Sequence, residues 1–388
     1  MPEPVRLPAS ARLLALARLP ALARFLALTC LLAPAHPGRA AADAALAQGL
    51  CPPPWPAVFK QATDPVLAPE RDYEQDCVVE PNVLLGPDGL YHMAYSCNAF
   101  SAGGRKEAIG LATSADLLHW TRYGKAPIVG DGQAGVAGAA GMASQLRVGK
   151  EYRLYFRNHD SGSVDYLTSR DAYHYRYAGT AIPLRAPGLS IPADPGLPDY
   201  CSRPLALDSC GFIQAGGLWW ALVEVAALGR VTDSADHCPG RPGYTLWLFR
   251  SKDGARSFQP AAGPLDTLTA SIGLPKTDIY AGGRANFTVR GAHYTFPHLG
   301  LPSLLALSKS GDLIHWRTYA RPVFGFNSRL LGLKACNQAA DASVIQAQGK
   351  TYLFYDGTDN DHKAGRIGVA VFPGTEADLD ACRDPSAR

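Results

Sequence analysis

The chain has 388 residues, 47% hydrophobic and 18% charged, an ordinary globular composition with ample material for a large core. Its formal charge is +3, but residues 1–42 hold five Arg against one Glu, so the remainder carries −1. That balance excludes the basic footprint of a nucleic-acid binder or of a protein held on an anionic membrane surface.

In chain order, the first feature is a leader. Arg6, Arg12, Arg18 and Arg24 precede an uncharged run, FLALTCLLAPA (25–35), and then a small-residue stretch, GRAAADA. A positive region, a short apolar region and an Ala-x-Ala-like cut site read as a secretory signal peptide over 1–42, with an uncleaved anchor or a transit peptide as the alternatives. The apolar run is too short to span a bilayer as a helix. Export would leave the mature protein secreted or periplasmic, with no membrane attachment. It would also leave eight cysteines: Cys51, Cys77, Cys97, Cys201, Cys210, Cys238, Cys336 and Cys382. An even count in an exported chain suggests disulfides, and no zinc-type C-x-x-C pair is present.

Residues 43–388 read as one all-β domain. The 39 Gly and 31 Pro suit turn-rich β structure. EPNVLLGPDGLYHMAYS (80–96) is strand, tight turn, strand; AIGLAT and APIV supply two more strands, joined by SADLLHW (114–120). The same order recurs from MASQLRVGKEYRLYF (142–156), DSCGFIQAGGLWWALVEV (208–225), GRANFTVRGAHYTFPH (283–298) and DASVIQAQGKTYLFYDG (341–357). The Ser-x-Asp turn returns as SRDAYHY, SKDGARSF and SGDLIHW. Such Ser and Asp side chains bond nearby backbone and fix a turn, so the motif is scaffold.

Four antiparallel strands repeated five times predict a five-bladed β-propeller. Tyr91, Tyr152, Trp220, Tyr294 and Tyr352 are the expected aromatic anchors of the second strands. The last blade lacks a fourth strand, and ATDPVLAP (62–69) resembles APIV and RPVF, so residues 65–67 are expected to close the ring. Cys51 and Cys382 could staple that closure, and Cys77 and Cys97 could face each other across the first hairpin.

The blade-one and blade-five segments, EPNVLLGPDGLYHMAYS … IGLATSADLLHWTRYG … PIV and DASVIQAQGKTYLFYDG … RIGVAVF, resemble the five-bladed propeller glycosidases that include glycoside hydrolase families 32, 43, 68 and 130. The resemblance extends over residues 60–375. It implies that each first strand starts at the mouth of a central funnel, with its opening residue facing substrate. It also implies a blade-one carboxylate as base or nucleophile. In family 43 a blade-two Asp tunes pKa, and a blade-three Glu is the general acid.

Spacing from the anchors puts Glu80 at the blade-one position, with Glu for Asp, and Asp341 at the blade-five position, each 11 residues before its Tyr. Blade two offers Met142 where the resemblance calls for Asp, blade three offers Ser209 beside Asp208, and blade four offers Arg284. Second-strand ends return Arg157, Asn158, His159, Asp160, Glu224, His298 and Asp356 to the same face.

Glycoside hydrolysis needs two carboxyl groups across the bond. The chosen pair is Glu80 as base or nucleophile and Glu224 as acid, because the apolar run WWALVEVAA would raise a carboxyl pKa. Glu224 in a structural pair with an Arg is the other reading. Asp208 is a second acid candidate or a strand-start cap, and Asp341 completes the acidic set. Arg284 would hold sugar hydroxyls or fix the channel as a buried ion pair. Trp219 would stack on a sugar, with Trp220 in the core; Arg157, His298 and Asp356 would bind substrate. No cofactor is called for. DGTDNDH (356–362) has oxygen ligands that suit a structural calcium ion but lacks EF-hand spacing, which favours a solvated loop.

The expected function is therefore a monomeric, exported glycoside hydrolase acting on an oligosaccharide or polysaccharide. The rivals are a non-catalytic glycan-binding propeller and a scaffold whose channel is plugged around Met142.

Overall fold

A computed structural model describes residues 59–75, 77–98, 106–130, 132–190, 204–227, 244–265, 279–280, 285–299, 304–319, 323–325, 339–358 and 365–381. The described strands form five blades of four antiparallel strands in a propeller. Blade one runs through Val78–Leu85, Tyr91–Cys97, Ala108–Ser114 and Thr121–Arg122. Blade two runs through Ala140–Val148, Glu151–Asn158, Val164–Ser169 and Arg176–Ile182, and blade three through Pro204–Ala215, Leu218–Ala227, Tyr244–Ser251 and Gln259–Ala262. Blade five is Ala340–Ala347, Lys350–Thr358 and Gly365–Phe372, completed by Lys60–Leu67 from the other end of the sequence.

That last pairing is the expected closure. Lys60–Leu67 lies antiparallel to Gly365–Phe372, with Leu67 opposite Ile367. The segment that follows is tied down by a buried acid. Glu74 accepts from the Arg122 Nε–H at 2.7 Å, the Tyr95 hydroxyl at 2.6 Å and the backbone amides of Glu70 and Arg71. Burial alone would raise its pKa; the bonds from Arg122 and Tyr95 and from the two amides outweigh it and hold the carboxyl below its ordinary value.

Blade four departs from the single run expected over 283–298. It is broken into two short ladders. One holds Asn286–Val289, Ala292–Thr295, Ser308–Ser310 and Trp316–Thr318; the other holds Ile279–Tyr280, His298–Leu299, Leu304–Leu305 and Phe324–Gly325. The break falls at Pro297, which has no N–H for the ladder; its carbonyl still accepts from Ala306 N.

Apolar side chains on both faces of each blade meet those of its neighbours, giving five clusters, one per seam. Ala94, Ile109 and Phe156 fill the first, and Tyr155, Val223 and Phe249 the second. Leu222, Leu248 and Trp316 fill the third, Tyr294, Phe296 and Tyr355 the fourth, and Met93, Phe354 and Ile367 the closing seam. Each such aromatic or aliphatic side chain contributes about 1.5–3 kcal/mol on burial. The anchors Tyr152, Tyr294 and Tyr352 are buried as expected, while Tyr91 and Trp220 pack partly buried against their seams.

The cross-strand disulfide expected between Cys77 and Cys97 does not form. The ladder sets Cys97 opposite Val78, one residue out of step, and the Cys97 thiol donates to the Ala108 carbonyl at 3.0 Å. Cys77, Cys97 and Cys210 are all buried, and the expected Cys51–Cys382 staple lies outside the described residues. After the last strand comes a short helix, Glu376–Ala381, which the sequence reading did not anticipate. Thr375 N donates to Asp378 Oδ2 at 2.7 Å at its start, and Leu379 seats it on the fourth seam.

The Ser-x-Asp turns link third and fourth strands and are built alike. Ser114 Oγ accepts from Leu117 N, and Asp116 Oδ1 accepts from Leu118 N and His119 N. Ser169 and Asp171, and Ser310 and Asp312, repeat this. In the looser copy Ser251 accepts from Ala255 N and Asp253 from Arg256 N. Leu117, Ala172, Ala255 and Leu313 all stand at φ between 61° and 69°, the left-handed turn conformation that these side-chain bonds sustain.

Two predictions follow from these supports. Replacing Arg122 by Met leaves Glu74 buried without its cation and is expected to destabilise by about 3 kcal/mol, read from urea unfolding. The turn acids give a pH signature. Hydrogen bonds from His119 and His315 hold Asp116 and Asp312 well below the usual carboxylate range. Their contribution is therefore complete above the unfolded carboxylate pKa of about 4 and fades as pH falls below it. An Asp116→Asn/Asp312→Asn double variant is expected to lose about 0.5 kcal/mol per exposed turn at pH 7. In matched urea melts, its gap from the parent should close on acidification.

Candidate active site

In blades one, two, three and five the first strand begins at one end of the central channel, and there the ladder to its second strand slips. The register shifts between Val79 and Asn82, Gly141 and Ser144, Leu207 and Cys210, and Ala340 and Ser343. These are β-bulges, and they hold Glu80, Met142, Asp208 with Ser209, and Asp341. Those are the positions that spacing had marked in blades one, two, three and five. Glu80, Met142 and Asp341 take φ of 57°, 53° and 45°. A non-glycine residue there carries about 1–3 kcal/mol of strain, which persists only where its surroundings over-determine it. Pro81 completes the first bulge, where a missing N–H leaves no ladder bond unmade. The blade-four counterpart, Arg284, lies outside the described residues.

The surroundings that hold the bulges come from the preceding blade. Asp356, at the end of the second strand of blade five, accepts from the Glu80 amide through Oδ2 at 3.0 Å. Ser96, the corresponding residue of blade one, accepts from the Met142 amide at 2.9 Å. That amide is shared with the Glu80 carboxylate, whose Oε2 lies 3.1 Å away. At the next seam a side chain does the work: Arg157 Nη1 meets Asp208 Oδ1 at 2.7 Å. Within blade three, Ser209 Oγ donates to Glu224 Oε2 at 2.9 Å.

The mouth thus gathers Glu80, Asp208, Glu224, Asp341 and Asp356, all buried, with Arg157 partly exposed among them. His298 is buried at the mouth end of blade four, on a strand that packs against the first strand of blade five. Trp219 does not join them. It is the second residue of the second strand of blade three, beside the Gly216–Gly217 turn, opposite Gln214 and five residues from Glu224. At the rise of a strand that separates them by about 16 Å along the blade. Trp219 instead packs on the seam with blade two, and Trp220 packs on the seam with blade four.

Below the mouth the channel holds a cavity of about 130 Å³ lined by Asn82, Ser144, Gln145, Asn286 and Ser343 among others. Asn286, which opens the sequence NFT, thus lines the channel rather than the outer surface. No group of three or more His, Cys, Asp or Glu side chains among the described residues could hold a metal ion, and most of the DGTDNDH loop lies outside them. Sequence reasoning missed Ser96, which only its place at a strand end marks. It also missed Glu107, buried beside Gly141, with nothing in the AIGLAT run to announce it.

Chemically, the mouth offers oxygen acceptors at controlled orientation. The amide bond to Asp356 fixes the backbone that carries Glu80, and the ion pair with Arg157 fixes the orientation of the Asp208 side chain. Replacing Asp356 by Ala is expected to cost about 1.5–3 kcal/mol in urea unfolding, since it strips the Glu80 amide of a charged acceptor; Asp356→Asn, which keeps an acceptor oxygen, should lose less than half of that.

No protein-family model and no curated protein sequence matches the chain. Solved structures do. A glycosyl hydrolase from Bacteroides ovatus is 15% identical, with 81% of this chain and 93% of that one covered at a TM-score of 0.55. An α-L-arabinofuranosidase from Podospora anserina, solved with cellotriose, is 12% identical over 81% of this chain and 96% of that one, at a TM-score of 0.53. A thermostable family-43 glycoside hydrolase is 11% identical over 76% of this chain and 88% of that one, at a TM-score of 0.52. At such identities the likeness is one of fold, and the fold is the five-bladed propeller seen in those enzymes.

Proposed function

We propose that the protein is a glycoside hydrolase that cleaves an oligosaccharide or polysaccharide at the channel mouth. The observation that carries this reading is the strained bulge at Glu80, at one end of a polar channel, with Asp208 and Asp341 on the matching bulges of blades three and five. Backbone strain stored at one repeated place, with carboxylates on it, fits a site that must aim its reacting groups. In this reading Glu80 activates water or attacks the anomeric carbon, and Glu224 gives its proton to the leaving oxygen. The Ser209 hydroxyl orients the Glu224 carboxyl. Arg157, His298 and Asp356 hold the substrate or the groups that touch it, and Arg284 belongs to the same ring by sequence position. Residues 1–42 direct export before the propeller acts outside the cytoplasm. Among the described residues no helix is long and apolar enough to cross a membrane.

The polar channel lining argues against the plugged scaffold. Met142, standing where the resemblance calls for a carboxylate, favours the second reading, a propeller that binds glycans without cutting them. The two part on one assay: product release from plant, fungal and bacterial oligosaccharides and aryl glycosides by the parent and by Glu80→Gln. We expect kcat to fall at least about a hundredfold in the variant, with its melting temperature little changed. Glu224→Gln should lose natural substrates yet keep aryl glycosides whose leaving group needs no proton. Equal cleavage by parent and Glu80→Gln would remove Glu80 from the centre, and no cleavage by either would put glycan binding first.

A further inference from the structure

On the rim of the mouth, between blades one and two, His159 Nε2 meets Glu107 Oε2 at 2.5 Å. Glu107 stands just before the third strand of blade one, and its carbonyl accepts from Ala140 N at 3.0 Å. His159 follows the second strand of blade two, and its amide donates to the Ala139 carbonyl. Both are thus clamped to the entry of the blade-two first strand. Gly141 makes room for them: any side chain there would run into the Glu107 carboxylate.

Two features separate the pair from an ion pair that merely joins blades. Glu107 is only 9% exposed in its side chain, yet its Oε1 has no hydrogen-bond partner among the described residues. A buried carboxylate oxygen in a purely structural role is ordinarily satisfied. His159 is 29% exposed, and its Nδ1 makes no hydrogen bond among the described residues. A carboxylate that accepts from Nε2–H fixes the ring's tautomer and leaves Nδ1 as an oriented acceptor.

The location completes the argument. The Glu107 carboxylate lies against the Cα of Gly141, and the Glu80 carboxylate holds the next amide, that of Met142. Covalent geometry then bounds the separation of the two carboxylates at about 9 Å, so one sugar ring can reach both. Blade two presents Met142 at its bulge, and this pair brings polar chemistry to that same quadrant from blade one.

We propose that Glu107 and His159 form a subsite for a sugar hydroxyl at the rim beside Glu80, with His159 Nδ1 as the contacting atom and Glu107 as the positioning residue. This rests on the carbohydrate reading of the mouth and names the residues that hold the sugar there.

The test is binding rather than turnover, on the full chain carrying Glu80→Gln so that nothing is cleaved. Soluble arabino-, xylo-, cello- and malto-oligosaccharides are titrated by calorimetry, and the histidine ring nitrogens are followed by NMR. We expect His159 to show the Nε2–H tautomer and its Nδ1 resonance to move when a bound oligosaccharide saturates the protein. Adding His159→Ala should weaken binding at least about tenfold with the melting temperature held, the loss of one well-oriented hydrogen bond. His159→Gln guards against a folding defect and should fall between the two. Gly141→Ala, which displaces Glu107, should weaken binding as His159→Ala does. Unchanged affinity in folded His159→Ala, or an Nδ1 resonance that stays put at saturation, overturns the subsite while leaving the carbohydrate reading intact. If the Glu80→Gln protein binds none of these sugars, the carbohydrate reading falls and the subsite falls with it.

Discussion

The bond from the Glu80 amide to Asp356 Oδ2 joins residues 276 apart in sequence, and much of the molecule depends on it. A propeller has no edge only while its last blade grips its first. Here the grip is made twice: by Lys60–Leu67, which completes blade five from outside, and by Asp356, which reaches into blade one from inside. The inner contact falls on the strained residue that the candidate chemistry needs. Closing the ring and aiming Glu80 are therefore one event, and neither is independent of packing in the seam that Met93, Phe354 and Ile367 fill.

The two ends of the blades use left-handed backbone for opposite purposes. Away from the mouth, Leu117, Ala172, Ala255 and Leu313 adopt it inside Ser-x-Asp turns, where local side chains bond to the backbone within a few residues. At the mouth, Glu80, Met142 and Asp341 adopt it at the bulges. For Glu80 and Met142 the acceptor comes from the neighbouring blade. A turn that supports itself can repeat anywhere. A bulge that leans on a neighbour exists only in the assembled ring, so the site becomes ordered as the blades stack.

The blades were legible because the Ser-x-Asp turn is local and keeps its letters, and the bulge positions were legible because hairpin length fixes the distance to an aromatic anchor. In DSCGFIQAGGLWW the Gly216–Gly217 turn puts Trp219 at the end of the blade away from the mouth, a signal that the assignment of Trp219 to substrate passed over. What failed otherwise was information that crosses strands. Cys77 and Cys97 flank their hairpin almost evenly, yet the ladder pairs Cys97 with Val78. Pro297 broke blade four where a continuous strand was expected, for want of a single N–H. The Glu107–His159 contact joins two blades through residues with no pattern of their own, and only the assembled seam brings them together.

The manner in which Glu80 and Met142 are held has a consequence for how such a mouth can change. The neighbouring blade recognises a backbone N–H, which every residue but proline possesses, and takes no account of the side chain beyond it. Glu and Met are held in the same bent conformation, one through a carboxylate and the other through a hydroxyl, although one is charged and the other is not. The ring behaves as a socket with unequal fittings: residue 142 can be exchanged without touching the bond that holds its backbone, whereas Glu80 also braces the next blade through the Met142 amide.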